Sequence, residues 1–193
     1  MLRSIFRVSL LCASLAACST SLTASNDGQR PALNVELRKS ADAIGTAVSD
    51  ADIAAWDIDV APDGRGLPAG SGDVAMGGKI FAAKCAACHG AKGEGLIGDQ
   101  LIGGRGTLAS ANPKRTVGSY WPYATTLFDY IRRAMPYNAP QSLSADEVYA
   151  VSAWILNQNG IVPDDVRLDA HSLASVRMPN RDGFVADPRP GRL

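Results

Sequence analysis

Cys85-Ala86-Ala87-Cys88-His89 sets two thiols three positions apart and follows them at once with an imidazole. At a helix end, that spacing lets both sulfurs reach the two vinyl groups of one porphyrin. The adjacent histidine then falls beneath the iron as proximal ligand. Two other chemistries use paired cysteines. A thioredoxin-like redox pair needs a strand–helix setting, whereas seven glycines lie between Gly90 and Gly106. A zinc site needs four ligands, and His171 is the one other histidine of the chain. The pattern points to a single covalent haem c with its iron.

A sixth ligand is sought among Met76, Met135 and Met178. Met76 falls within the first clear helix and reads as packing. Met135 stands just before Pro136 and a well-capped last helix, in a loop able to present a thioether to the open face of the iron, where it would stabilise the ferrous state. Met178, in Arg177-Met178-Pro179, is the second choice. His171, or no sixth ligand, completes the alternatives. Arg105, Tyr120, Trp121 and Tyr123 are candidate donors to haem propionates, with Arg105 more readily exposed and the three aromatics equally suited to apolar packing. Arg132 and Arg133 flank Met135 and read as a solvated face rather than a docking rim.

The elements that must position these residues follow from periodicity and caps. Asp73 is a suitable N-cap for a helix over Val74–Cys85, in which Gly77, Gly78 and Phe81 form a face open to close helix approach. Residues 90–122 read as loop. Ala124, Leu127, Phe128 and Ile131 recur at helical spacing, predicting a helix over Tyr123–Ala134 that Pro136 ends. Ser144 and Glu147 form a capping box for a helix over Ala145–Gln158, with Leu143 stapling onto Val148 and Gly160 as the stop. A short helix is predicted within Pro31–Val48. Residues 50–72 read as an irregular extension, acidic and then Gly/Pro-rich, with Trp56 as anchor. Residues 161–193 show no periodicity and are expected to wrap the domain.

The chain has 193 residues and a formal net charge of zero, enough for one ordinary domain with tails and without the basic excess of a nucleic-acid binder. Arg3 and Arg7 precede a short apolar run, Val8–Ala17, below the roughly 20 residues that span a bilayer. Leu15-Ala16-Ala17-Cys18 reads as a lipobox, so residues 1–17 are expected to be a lipoprotein signal peptide, with Cys18 lipidated. The alternative is ordinary cleavage nearby. Residues 18–49 then form a tether and linker, and residues 73–160 the haem domain. The expected location is the periplasm, membrane-tethered. Ser19 after Cys18, in place of an inner-membrane retention aspartate, favours the outer membrane.

The C-x-x-C-H, the Met-Pro after a helix and Tyr149-Ala150-Val151-Ser152-Ala153-Trp154-Ile155 together resemble the class I cytochrome c family. That resemblance implies an all-α fold: a small helical domain around one haem c, with irregular N- and C-terminal extensions. A narrower likeness lies in Ala54–Gly64, Gly66-Leu67-Pro68, Tyr120–Ile131, Arg133-Ala134-Met135-Pro136 and Met178–Phe184. These segments are similar to the cytochrome subunit of sulfane dehydrogenase in bacterial thiosulfate oxidation, and to cytochromes paired with molybdenum sulfite dehydrogenases. That subunit is longer and has two haem domains, and this chain resembles the first. The likeness implies an electron carrier rather than an enzyme. It would accept electrons from a molybdenum-containing dehydrogenase subunit and pass them to a downstream cytochrome or oxidase, with no nucleic-acid partner. A general periplasmic shuttle, or a haem enzyme or ligand sensor with an open sixth site, are the alternatives.

Overall fold

The computed structural model describes Gly45 and residues 47–186. The signal segment, Cys18, the tether and nearly all of the helix predicted within Pro31–Val48 lie outside the described residues. Among the described residues, no helix is long and apolar enough to cross a membrane.

The three long helices form where caps and periodicity place them. Asp73 accepts a 2.8 Å hydrogen bond from Met76 N–H and starts α2, Val74–Lys84. At Cys85 the backbone leaves helical geometry, and the chain restarts as the single turn α3, Ala86–His89. Next comes α4, Ala124–Ala134, and then α5, Ala145–Gln158. The Ser144 hydroxyl accepts from Glu147 N–H at 3.3 Å and the Glu147 carboxylate from Ser144 N–H at 2.9 Å, the predicted reciprocal cap. Gly160, at φ +64°, follows α5 as its stop.

The α2–α5 crossing is the centre of the fold. A Cβ on Gly77 would overlap the Ala150 carbonyl and lie 2.8 Å from Trp154 Cβ, so glycine is what allows the two backbones to touch. One turn on, Phe81 stacks on Trp154 with ring centroids 4.1 Å apart. Helix α4 closes the other side, where Phe128 meets Tyr149 at 4.5 Å. Both Leu143 and Val148 belong to the buried cluster.

The helix-dominated domain gains a small antiparallel ribbon that periodicity does not reveal. Strand β1, Ser71–Asp73, pairs with β2, Arg167–Asp169, in the register Ser71↔Asp169, Gly72↔Leu168, Asp73↔Arg167. Three-residue strands are too short to show an alternation. Asp169 then caps the short α6, Ala170–Ala174. Leu168, Leu173 and Met178 are all buried in the domain core, so the C-terminal segment supplies part of it.

Residues 50–72 hold on differently from expectation. They open with α1, Asp50–Ala54, capped reciprocally by Ser49 and Asp52. Trp56 is no anchor, since 86% of it is exposed. Polar side chains of the helices grip the backbone of this segment instead. Asp129 accepts from Val60 N–H at 2.8 Å, and the Tyr149 hydroxyl donates to Pro68 O at 2.8 Å. Met76, predicted to pack, is 37% exposed, because the crossing uses the Gly77 and Phe81 side of α2.

Candidate haem site

The break between α2 and α3 turns the motif outward into a cavity of about 1000 Å³ lined by Cys85, Cys88 and His89. This volume stands at the upper end of the usual ~300–1,000 Å³ of ligand sites. Phe81 from α2, Val151 and Ile155 from α5, and Leu127 and Ile131 from α4 give it apolar walls. Burial pushes the Cys85 thiol up to about 11, with the neighbouring Lys84 charge opposing. Before haem attachment this burial favours the neutral thiol at Cys85, while Cys88 is exposed.

His89 is oriented by the glycine-rich loop that follows it. Its Nδ1 lies 2.7 Å from the Asp99 carbonyl oxygen, an acceptor, so Nδ1 carries the proton and the Nε2 lone pair is left free for a metal. Gly98 is what lets the loop close over the ring. A Cβ there would stand 2.9 Å from His89 Cε1. Gly98 N–H donates to Cys88 O at 2.8 Å and Gly95 N–H to His89 O at 2.7 Å, tying the loop to the motif. Sequence patterning identified this stretch as loop and missed the clamp, since its acceptors are backbone carbonyls.

The structure separates the two methionine candidates. Met135 caps α4 in extended geometry and lines the cavity. Met178, the second choice, is 1% exposed and sits in the core cluster, away from the cavity lining. His171 lies on α6 and does not line the cavity either.

Of the propionate candidates, Trp121 lines the cavity, edge-on to Tyr130 at 5.8 Å. Tyr120, Tyr123 and Arg105 do not. The C-terminal segment occupies the two tyrosines: Phe184 meets Tyr120 at 5.2 Å, and the Arg181 guanidinium covers Tyr123 at 4.3 Å. In their place, Arg115 and Gln100 reach the cavity, both missed in the sequence. Of the two arginines beside Met135, Arg133 stays on the exposed face, and Arg132 is half-buried. Arg132 donates to Ile58 O at 3.0 Å, and Arg133 pairs with Asp129.

Paired thiols, an imidazole with its outer nitrogen free and an apolar cavity fit a covalently held porphyrin. The cytochrome c family profile matches residues 74–159, which span α2 through α5. The chain belongs to the cytochrome c family, and its cofactor is covalent haem c, with Cys85 and Cys88 spaced for the two thioether bonds. The particular likeness is to a chain in the crystal structure of the sulfane dehydrogenase SoxCD from Paracoccus pantotrophus. Identity is 46% and the TM-score 0.72, over 76% of this chain and 72% of that one. No curated protein sequence matches significantly.

Proposed function

We propose that this chain is a periplasmic electron-transfer lipoprotein in which Cys85 and Cys88 would hold the haem and His89 and Met135 would ligate its iron. The observation that carries the ligand assignment is the placement of Met135 on the cavity lining, with Met178 in the core. When bound, haem c supplies one-electron exchange between ferric and ferrous iron. The chain's own residues do the rest. Asp99 O fixes the His89 tautomer, and α2, α4 and α5 supply apolar walls against which a porphyrin would pack. Arg115 and Gln100 offer donors to the propionates. With both iron ligands supplied by its own side chains, the protein would act as a carrier rather than an enzyme.

The likeness to SoxCD supports a molybdenum-containing dehydrogenase acting on reduced sulfur as electron donor, with a cytochrome or oxidase downstream. Lipidated Cys18 and the tether after it would hold the domain at a membrane surface, the outer membrane by the Ser19 rule. The test is the ferric methionine–iron absorption band of the purified holoprotein. It is expected in the wild type and in Met178→Ala, and lost in Met135→Ala. Stopped-flow reduction by the Paracoccus pantotrophus enzyme with its sulfur substrate tests the donor. A wild type without the band that binds carbon monoxide readily when reduced refutes the carrier reading.

A further inference from the structure

Helix α4 has no side-chain hydrogen bond at its N-cap. Its grip comes from the side. Thr125, Asp129, Arg132 and Arg133 recur at helical spacing along one face. Thr125 Oγ1 donates to Pro62 O at 3.2 Å, and Asp129 Oδ1 accepts from Val60 N–H at 2.8 Å. Arg132 Nη1 donates to Ile58 O at 3.0 Å and to Gly66 O at 3.4 Å. Arg133 Nε donates to Asp129 Oδ1 at 2.9 Å, so that the buried carboxylate is paired. Leu127, Tyr130 and Ile131 line the cavity, and the helix ends on Met135.

We propose that residues 58–66 are an external brace for α4, and that Asp129 and Arg132 are positioning residues that fix Met135 against the iron through it. This rests on the assignment of Met135 as axial ligand. A thioether is a weak ligand, held as firmly as the backbone that carries it. Every bond of the brace ends on a main-chain N–H or C=O of the extension, so it fixes the axial and rotational placement of α4 rather than merely covering it. The cytochrome fold within residues 74–159 does not itself include this segment.

The test compares the holoprotein with Asp129→Ala, Asp129→Asn, Arg132→Met and Arg132→Lys. The readouts are the pH midpoint at which the ferric methionine–iron band disappears and the rate of carbon monoxide binding to the ferrous form. Asp129→Ala and Arg132→Met are expected to raise the methionine-dissociated population about tenfold, moving the midpoint down by about one pH unit. Asp129→Asn keeps an oxygen for Val60 N–H and Arg132→Lys keeps one donor, so both recover much of the difference. If Asp129→Ala does not fold, Arg132→Met decides the matter. Lower melting temperatures with an unchanged midpoint and carbon monoxide rate overturn the proposal, because the brace then only stabilises. A wild type lacking the band refutes the ligand assignment and the brace with it. A wild-type band unaffected in the variants refutes the brace alone.

Discussion

Gly77 and Ala150 meet backbone to backbone: a Cβ on the glycine would overlap the Ala150 carbonyl oxygen. Alanine would raise intrinsic helix propensity by about 1 kcal/mol. It would also drive α2 away from α5 and open the Phe81–Trp154 stack, and overpacking of that kind costs about 1–3 kcal/mol or more. We expect Gly77→Ala to destabilise the holoprotein by about 2 kcal/mol net, read by denaturant unfolding. Stability equal to wild type would show that the crossing can relax.

Met178→Ala and Met135→Ala should separate stability from ligation. Met178 is fully buried, and truncating a buried methionine to alanine costs about 2–5 kcal/mol. The variant should melt earlier yet keep its ferric methionine–iron band. A band lost from Met178→Ala while the protein stays folded would reverse the roles.

Ser152 is fully buried on α5, and its hydroxyl has no hydrogen-bond partner among the described residues. A buried polar group without a partner costs about 1–3 kcal/mol. Ser152→Ala removes that cost with little loss of volume, and should raise stability by about 1 kcal/mol. Thermal unfolding checks the sign, and a clear loss of stability would expose a bonding role for the hydroxyl.

Glu147 gives the protein an acid-sensitive contact. The Lys84 ammonium 2.9 Å away, with the Ser144 N–H, holds this carboxyl below its ordinary value of 4.5. A folded pKa below the unfolded one stabilises the protein above pH 4.5, and the gain disappears as pH falls through the folded value. Glutamine preserves the capping geometry but not the charge. Glu147→Gln should therefore lose roughly 0.5 kcal/mol at pH 7, a small figure because the pair is partly solvated. The difference should shrink as pH falls below 4.5 and vanish once the folded carboxyl is protonated. A gap that persists in acid would assign the loss to packing.

Local chemistry made much of this molecule legible in sequence. Asp73, the Ser144–Glu147 pair and the periodicity of Ala124, Leu127, Phe128 and Ile131 set the helices, because caps and stripes act within one or two turns. The thiols and imidazole of 85–89 are adjacent, so their joint chemistry needs no tertiary knowledge. What was missed depends on distant partners. Tyr120 and Tyr123 turn from the cavity because residues 181–184 cover them, more than fifty positions later. Trp56 looked like an anchor because of its size, whereas main-chain groups do the anchoring, and these are the same in every residue. The His89 clamp ends on a carbonyl, which leaves no mark on residue type.

The β1–β2 ribbon carries a consequence for the order in which the molecule is built. Arg167 Nε donates to the Ser71 hydroxyl at 3.1 Å across 96 positions of chain, and Leu168, Leu173 and Met178 fill the core behind it. During synthesis the first residues of the domain emerge long before their partners. Helices α2, α4 and α5 can form by local contacts, but the core around them stays open until the segment from Arg167 to Met178 has followed. Closure of the core therefore waits on this late segment, and a chain halted after α5 would present an unsealed apolar surface to its surroundings.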